Sequence, residues 1–200
     1  MKGVISVGSN YIHLAKEYKE WISRGAENFL LFEPVKETYD RMLEEIFYKI
    51  PANIDFHTET KNLALGNMTG KVLMNIERDN KGQSSSILKP KLHLEQYKWI
   101  KFTDKEEVDI DRLDNVDYDR ELYDFLHIDT QGYELEVLKG AVESLKFINE
   151  IECEVNYAEL YEGCPMESEI TDFLREQGFS LTGIHMWCDN WGDATYKRCQ

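Results

Sequence analysis

Short apolar runs alternate with helical periods along this chain, and that alternation constrains its fold more than any other feature. Residues 4–7, 29–32 and 125–128 are compact, largely apolar blocks. Each is followed by a stretch with apolar side chains every three or four positions. Leu14, Tyr18, Trp21 and Ile22 recur within 11–24. Tyr39, Met42, Leu43, Ile46 and Phe47 recur within 35–50, and Leu135, Leu138, Val142 and Leu145 within 132–147. Short apolar blocks separated by 3.6-period stretches predict βαβ units and a mostly parallel sheet, an α/β fold. Gly25 and Gly178 stand where glycine commonly ends a helix, and Pro51 breaks the second helical period. Residues 53–58 and 151–155 read as further strands, and 167–177 as a helix with Ile170, Phe173 and Leu174 inward. The closing runs, 179–184 and 193–197, have no helix between them and are expected to pair antiparallel at the sheet edge.

The middle of the chain is less regular. Residues 63–67 read as a strand end and turn, 71–76 as one arm of a hairpin, 79–86 as a polar loop and 100–110 as another extended segment. A long structureless connection is rare inside a compact domain. The expectation is therefore one domain over 1–200, with a hairpin and flap inserted around 66–118.

Charge excludes several partners. The 38 acidic against 23 basic residues give a net charge of -15, a field that repels phosphate backbones and anionic lipid. No nucleic-acid or membrane partner is expected, and the acids read as a solubilising surface. Cys153, Cys164, Cys188 and Cys199 lack C-x-x-C spacing and are too sparse for a disulfide framework. Cys153 reads as core. No apolar run approaches a membrane span, and the opening apolar stretch is too short for a secretory signal, so a cytoplasmic protein is expected. No pattern speaks to oligomeric state.

In open parallel sheets, ligands sit at the carboxyl ends of the strands, near the switch in strand order. That rule selects Gly8-Ser9-Asn10, Glu33, the turn at 62–67, and Asp129-Thr130-Gln131. A glycine after the first strand lets backbone approach a ligand. A carboxylate after the second can accept two ribose hydroxyls. Asp129 can face the cleft or cap the next helix. Alternation places Glu152 and Glu154 on one face of their strand, and Glu154, near its open end, is a candidate general base. The five histidines are scattered. His185 stands out among Met186, Trp187, Asn190 and Trp191 as a candidate at a substrate pocket. A divalent metal is compatible with these acids but is indicated by no ligand spacing. A dinucleotide oxidoreductase would need G-x-G-x-x-G, and the chain has one of the three glycines at 8–13.

The run Phe125-Leu126-His127-Ile128-Asp129-Thr130-Gln131-Gly132-Tyr133-Glu134, continuing through Leu138-Lys139-Gly140-Ala141, closely resembles the signature of FkbM-type methyltransferases. Leu31-Phe32-Glu33-Pro34, Asn62-Leu63-Ala64-Leu65-Gly66, Ser84-Ser85-Ser86, 152–161 and 192–196 resemble the family's other motifs in order. The resemblance implies a Rossmann-like class I methyltransferase fold and S-adenosylmethionine as cofactor, with S-adenosylhomocysteine as product. It implies methylation of a hydroxyl on a small-molecule or saccharide acceptor. It places Gly8, Ser9, Asn10, Glu33, Asn62, Ala64, Leu65, Ser85, Asp129 and Gln131 at the cofactor. Asp129, Glu154 and His185 become the candidate catalytic residues. The family's first motif, Asp-x-Gly-Ala-Asn-x-Gly, is altered here: Ser6 replaces the acid and Ile12 the second glycine. Ile12 is expected beside the methionine portion of the cofactor, and no N-terminal segment over the substrate is expected. The alternative is a non-catalytic binding or regulatory domain with an eroded cofactor site.

Overall fold

A computed structural model describes residues 1–49 and 56–199. The end of the expected second helix at 50, Pro51 and the expected strand start at 53–55 lie outside the described residues.

Strand β1 (Gly3–Val7) is buried along its length and turns at Gly8 into helix α1 (Tyr11–Ser23). β2 (Asn28–Phe32), α2 (Lys36–Lys49) and β3 (His57–Lys61) follow. Then come β4 (Ala64–Leu65), β5 (Gly70–Glu77), the short α3 (Leu92–Gln96) and β6 (Phe102–Asp111). β7 (Phe125–Ile128) leads into α4 (Glu134–Lys139) and α5 (Val142–Leu145). β8 (Glu150–Asn156), α6 (Glu167–Glu176), β9 (Phe179–Cys188) and β10 (Trp191–Arg198) complete the chain.

The main sheet runs β3-β2-β1-β7-β8-β10-β9. All its pairings are parallel except those of β10, which is antiparallel to both β8 and β9. This is a Rossmann-like α/β sheet with antiparallel closing strands. β1 pairs with β2 on one side and β7 on the other, so the strand order reverses there and leaves a crevice at the carboxyl ends. One core layer, with Leu14, Tyr18, Trp21, Phe29 and Met42, lies under α1 and α2. The other, with Leu126, Leu138, Leu145, Ile151, Ile170 and Leu174, lies under α4 to α6. The residues around 66–118 contribute a second, three-stranded sheet in the order β4-β6-β5. Among the described residues, no helix is long and apolar enough to cross a membrane.

Several expectations need correction. Leu43 and Phe47 are 38% and 78% exposed. Each lies one 100° step around the helix from the row of Thr38, Met42 and Ile46 that meets the sheet. The single helix expected over 132–147 is two helices. An added Cβ on Gly140 would lie 2.0 Å from the carbonyl oxygen of Gly66, so the break falls where two backbones touch. That helix also starts later than expected, because Gln131 and Gly132 have φ of 55° and 96°. The closing strands are longer than expected, so His185, Trp187 and Trp191 all lie within strands.

Candidate active site

The turns after β1 and β7 touch. Gly8 has φ of 80°, and a Cβ there would lie 1.8 Å from the carbonyl oxygen of Asp129. The Gly8 and Ser9 amides both donate to the Phe32 carbonyl, at 3.0 and 2.9 Å, which ties in the end of β2. Over these three strand ends lies a cavity of about 640 Å³. Glu33, Val35, Leu63, Ala64 and Leu65 form one end of it; Gly8, Asn10, Asp129 and Gln131 form the floor. Glu152, Glu154, Asp193, Trp187 and Trp191 form the far end, and His13, Lys16, Glu17 and Glu20 of α1 form a side.

The floor is built around Gln131. Its Nε2 donates to Asp129 Oδ1 at 2.8 Å and to Glu154 Oε2 at 2.9 Å. Its Oε1 lies 3.0 Å from the Tyr161 hydroxyl, and its backbone carbonyl accepts from Ser86 Oγ at 2.8 Å. A non-glycine residue at positive φ costs free energy, and four tethers hold this one there. Asp193 faces Glu154 across the β8–β10 pair. Removal from water pushes the Glu154 carboxyl well above the carboxylate range, and the nearby Asp129, Glu134 and Asp193 raise it further. Burial raises Asp129 as well, against the Gln131 hydrogen bond.

Asp129 does not cap α4, for it accepts no backbone amide among the described residues. Glu134 instead secures the turn that leads into α4. Its Oε1 accepts from the Thr130 amide at 2.9 Å, the Gly132 amide at 3.0 Å and Thr130 Oγ1 at 3.0 Å. Glu134 is fully buried, and burial pushes its carboxyl up to about 7 despite those donors.

Glu33 is buried at the apolar end, with Oε1 accepting the Val35 amide at 2.8 Å. Desolvation pushes its carboxyl up to about 8 from an ordinary 4.5. The folded protein therefore holds this proton where the unfolded chain has lost it. The stability contributed by neutral Glu33 is full below about pH 4.5 and is lost as pH rises through about 8. Glu33→Gln mimics the neutral form and still offers Val35 an acceptor. It should match the wild type in thermal stability at about pH 4–5 and exceed it at about pH 8–9, since one displaced proton is worth up to about 1.4 kcal/mol per pH unit. Parallel stability curves for the two proteins across that range would show that Glu33 is solvated.

The other candidates divide. Ala64, Leu65 and Ser85 line the cavity, and Ser85 Oγ also accepts the Glu77 amide at 3.2 Å. Asn10 lines it while capping α1 through the Ile12 amide and donating to Lys81 O. The Ser9 side chain turns away and donates to Ser6 O at 2.9 Å. Asn62 is outside the lining; its amide clamps the turn after β2 through the carbonyls of Glu33 and Pro34, at 2.9 and 2.8 Å. His185 is exposed on the edge strand, stacked edge-on against Trp187, and does not line the cavity. Trp187, skipped by the pairing where the β9–β10 register shifts, is the β9 residue that reaches the cavity, while His185 packs against its ring from outside the lining. Ile12 is likewise outside the lining, and Ser6 is buried in β1 with its hydroxyl 3.3 Å from His127 Nδ1.

Sequence reasoning overlooked the side wall on α1, together with His127 and Asp193, and gave Glu152 no role although it placed it on the face of Glu154. For Glu17 and Glu20 the signal was available: polar residues falling on the sheet-facing flank of an otherwise amphipathic helix. Among the described residues, no group of three or more His, Cys, Asp or Glu side chains is arranged to hold a metal ion.

The family model of the methyltransferase FkbM domain matches residues 6–181. A curated relative, the 2-O-methyltransferase NoeI of Sinorhizobium fredii, is 38% identical over 93 residues, which are 46% of this chain and 38% of NoeI. The crystal structure of methyltransferase FkbM from Methylobacillus flagellatus superposes with a TM-score of 0.64 at 12% identity, over 98% of this chain and 43% of that one. Magnesium protoporphyrin IX methyltransferase from Synechocystis, solved with bound SAM, superposes with a TM-score of 0.54 at 9% identity, over 98% of this chain and 69% of that one. The chain thus spans less than half of NoeI and of the Methylobacillus protein. At such identities the superpositions speak for the fold, while the match over 6–181 speaks for kinship, and the chain belongs to the FkbM methyltransferase domain family.

Proposed function

We propose that the protein is an S-adenosylmethionine-dependent O-methyltransferase acting on a hydroxyl of a sugar or other small molecule. The observation that carries this reading is the division of one cavity: a buried carboxyl at an apolar end, Glu33, and two acids joined by Gln131, Asp129 on the floor and Glu154 at the far end. The residues present fit the cofactor. Glu33 has one oxygen engaged by Val35 and one without a partner among the described residues, the arrangement a ribose diol needs. Leu63, Ala64, Leu65, Met74 and Ile87 offer an apolar slot for a purine. A side chain at position 8 would meet the Asp129 carbonyl, so glycine is what lets the β1 and β7 turns close together to form the floor. NoeI is named a 2-O-methyltransferase, which supports an oxygen acceptor.

S-Adenosylmethionine, when bound, supplies a sulfonium methyl group that the acceptor oxygen takes in line. The chain's contribution is placement and proton handling. Asp129 stands beside the Gly8 turn, on the strand next to β1, and is the carboxylate placed to meet the cofactor's ammonium group. Glu154 stands one strand further out, toward the tryptophans, and is placed to receive the acceptor's hydroxyl proton. Gln131 holds both acids with one nitrogen, so the pair keeps its spacing. The walls hold the acceptor against the methyl group and exclude water.

Calorimetric titration with S-adenosylmethionine and S-adenosylhomocysteine tests the reading directly. Both should bind, and Glu33→Ala should weaken both by about 1–3 kcal/mol, the cost of leaving a buried hydrogen-bonding group unpaired. No binding at millimolar ligand would remove it, and would favour an eroded binding domain.

A further inference from the structure

Of the four tryptophans in the chain, Trp21 is in the core and the other three line the cavity. Trp187 and Trp99 are 58% and 57% exposed, a large apolar surface to leave wet at a cavity mouth. Their neighbourhood is latched. Trp187 Nε1 donates to Asp193 Oδ2 at 2.6 Å, and Trp191 Nε1 to the Tyr97 hydroxyl at 3.1 Å. Gln96 Nε2 also donates to that hydroxyl at 3.1 Å, and Asn190 Nδ2 to Gln96 Oε1 at 3.1 Å. The turn of the β9–β10 hairpin is thereby clasped to the segment after α3. Both bonded indoles are held by an edge, and their rings lie 6.2 Å apart at 31°, so neither covers the other's face. Preorganised rings lose little freedom when a ligand docks on them.

The polar groups beside these rings narrow the ligand. Asp193, Glu152 and Glu154 offer acceptors to hydroxyl donors. No arginine lines the cavity among the described residues, and its one lysine, Lys16, is on α1. A carboxylate or phosphate on the ligand would face unopposed acids. Aromatic faces bounded by hydrogen-bond acceptors, without cations, suit a ring whose faces are C–H and whose rim is hydroxyl.

We propose that the clasp of Trp187, Trp191, Trp99 and Tyr97 is the acceptor subsite, and that it takes the apolar face of an uncharged sugar ring. The proposal rests on the methyl-transfer reading above and deepens it. It assigns acceptor selection to two segments that the strand-end motifs do not include.

The test is tryptophan fluorescence of the full chain, with and without S-adenosylhomocysteine. The probes are methyl β-glucoside and methyl α-mannoside as neutral sugars, glucuronate as an anion and catechol as a flat aromatic. The neutral sugars should bind more tightly than glucuronate or catechol. Trp187→Ala should weaken them at least fivefold, Trp187→Phe should restore most of that loss, and cofactor-product affinity by calorimetry should stay within twofold in both variants. Tighter binding of glucuronate or catechol, or an unchanged sugar affinity in Trp187→Ala, would overturn the subsite. No sugar binding with S-adenosylhomocysteine bound overturns the subsite alone. No binding of S-adenosylhomocysteine overturns the reading beneath it as well.

Discussion

Gly8→Ala is expected to lower the unfolding free energy by about 3–5 kcal/mol, combining a strained positive φ with overpacking. The residue has φ of 80°, and the new methyl carbon would fall 1.8 Å from the carbonyl oxygen of Asp129. No rotamer can relieve that clash, because both partners are fixed by backbone. The β1 and β7 turns would have to separate, which also strains the amide bonds from Gly8 and Ser9 to the Phe32 carbonyl. Against a usual total of about 5–15 kcal/mol, such a loss is severe. Gly183→Ala is the control: a methyl group on Gly183 would meet nothing within 4 Å, and its φ is not positive. Its effect should stay near the roughly 0.5 kcal/mol typical of surface changes. Urea unfolding of both variants decides the matter. If Gly8→Ala were no more damaging than Gly183→Ala, the two turns would not be in contact in solution.

The reason Gly8 could be chosen from sequence is that its role is local. An apolar strand, a glycine and a helical period stand next to one another in the chain, and the strand-end rule needs nothing more. The same holds for Glu33 and Asp129, each the first polar residue after an apolar block. Gln131 is different. Its bonds run to Glu154 on β8 and Tyr161 beyond it, partners set by sheet order rather than by spacing. Sequence reasoning put Gln131 at the cofactor; it lines the cavity, with its side-chain amide engaged by the two acids and the tyrosine. His185 shows the opposite failure. Proximity in sequence to Trp187 and Trp191 suggested a shared pocket, but it is Trp187, at the shift in the β9–β10 register, that reaches the cavity, and His185 stays outside against its ring. The break at Gly140 depends on a backbone approach by Gly66, distant in the chain, and no periodicity encodes it.

Asp129→Asn is expected to reduce turnover, or cofactor affinity, at least about tenfold, equivalent to about 1.4 kcal/mol, in a protein that still folds. The change keeps shape and removes charge. Folding should survive because Asp129 accepts no helix amide among the described residues, and the turn into α4 is held by Glu134. Burial already raises the Asp129 carboxyl, so the substitution relieves a desolvation cost and should not lower stability. Affinity is another matter. A cationic ligand group favours the ionised carboxylate, so binding by the wild type should strengthen as pH rises above the ordinary carboxylate range and the buried Asp129 and Glu154 carboxyls ionise. Asp129→Asn removes one member of that pair and should flatten the dependence. Glu154→Gln separates the two roles. If Glu154 receives the acceptor's proton and Asp129 meets the ammonium group, Glu154→Gln keeps cofactor affinity and loses turnover, whereas Asp129→Asn loses affinity first. Calorimetry with S-adenosylhomocysteine measures the binding half before any acceptor is in hand. Wild-type affinity and an unchanged pH profile in Asp129→Asn would remove Asp129 from the cofactor site and leave it as a structural partner of Gln131.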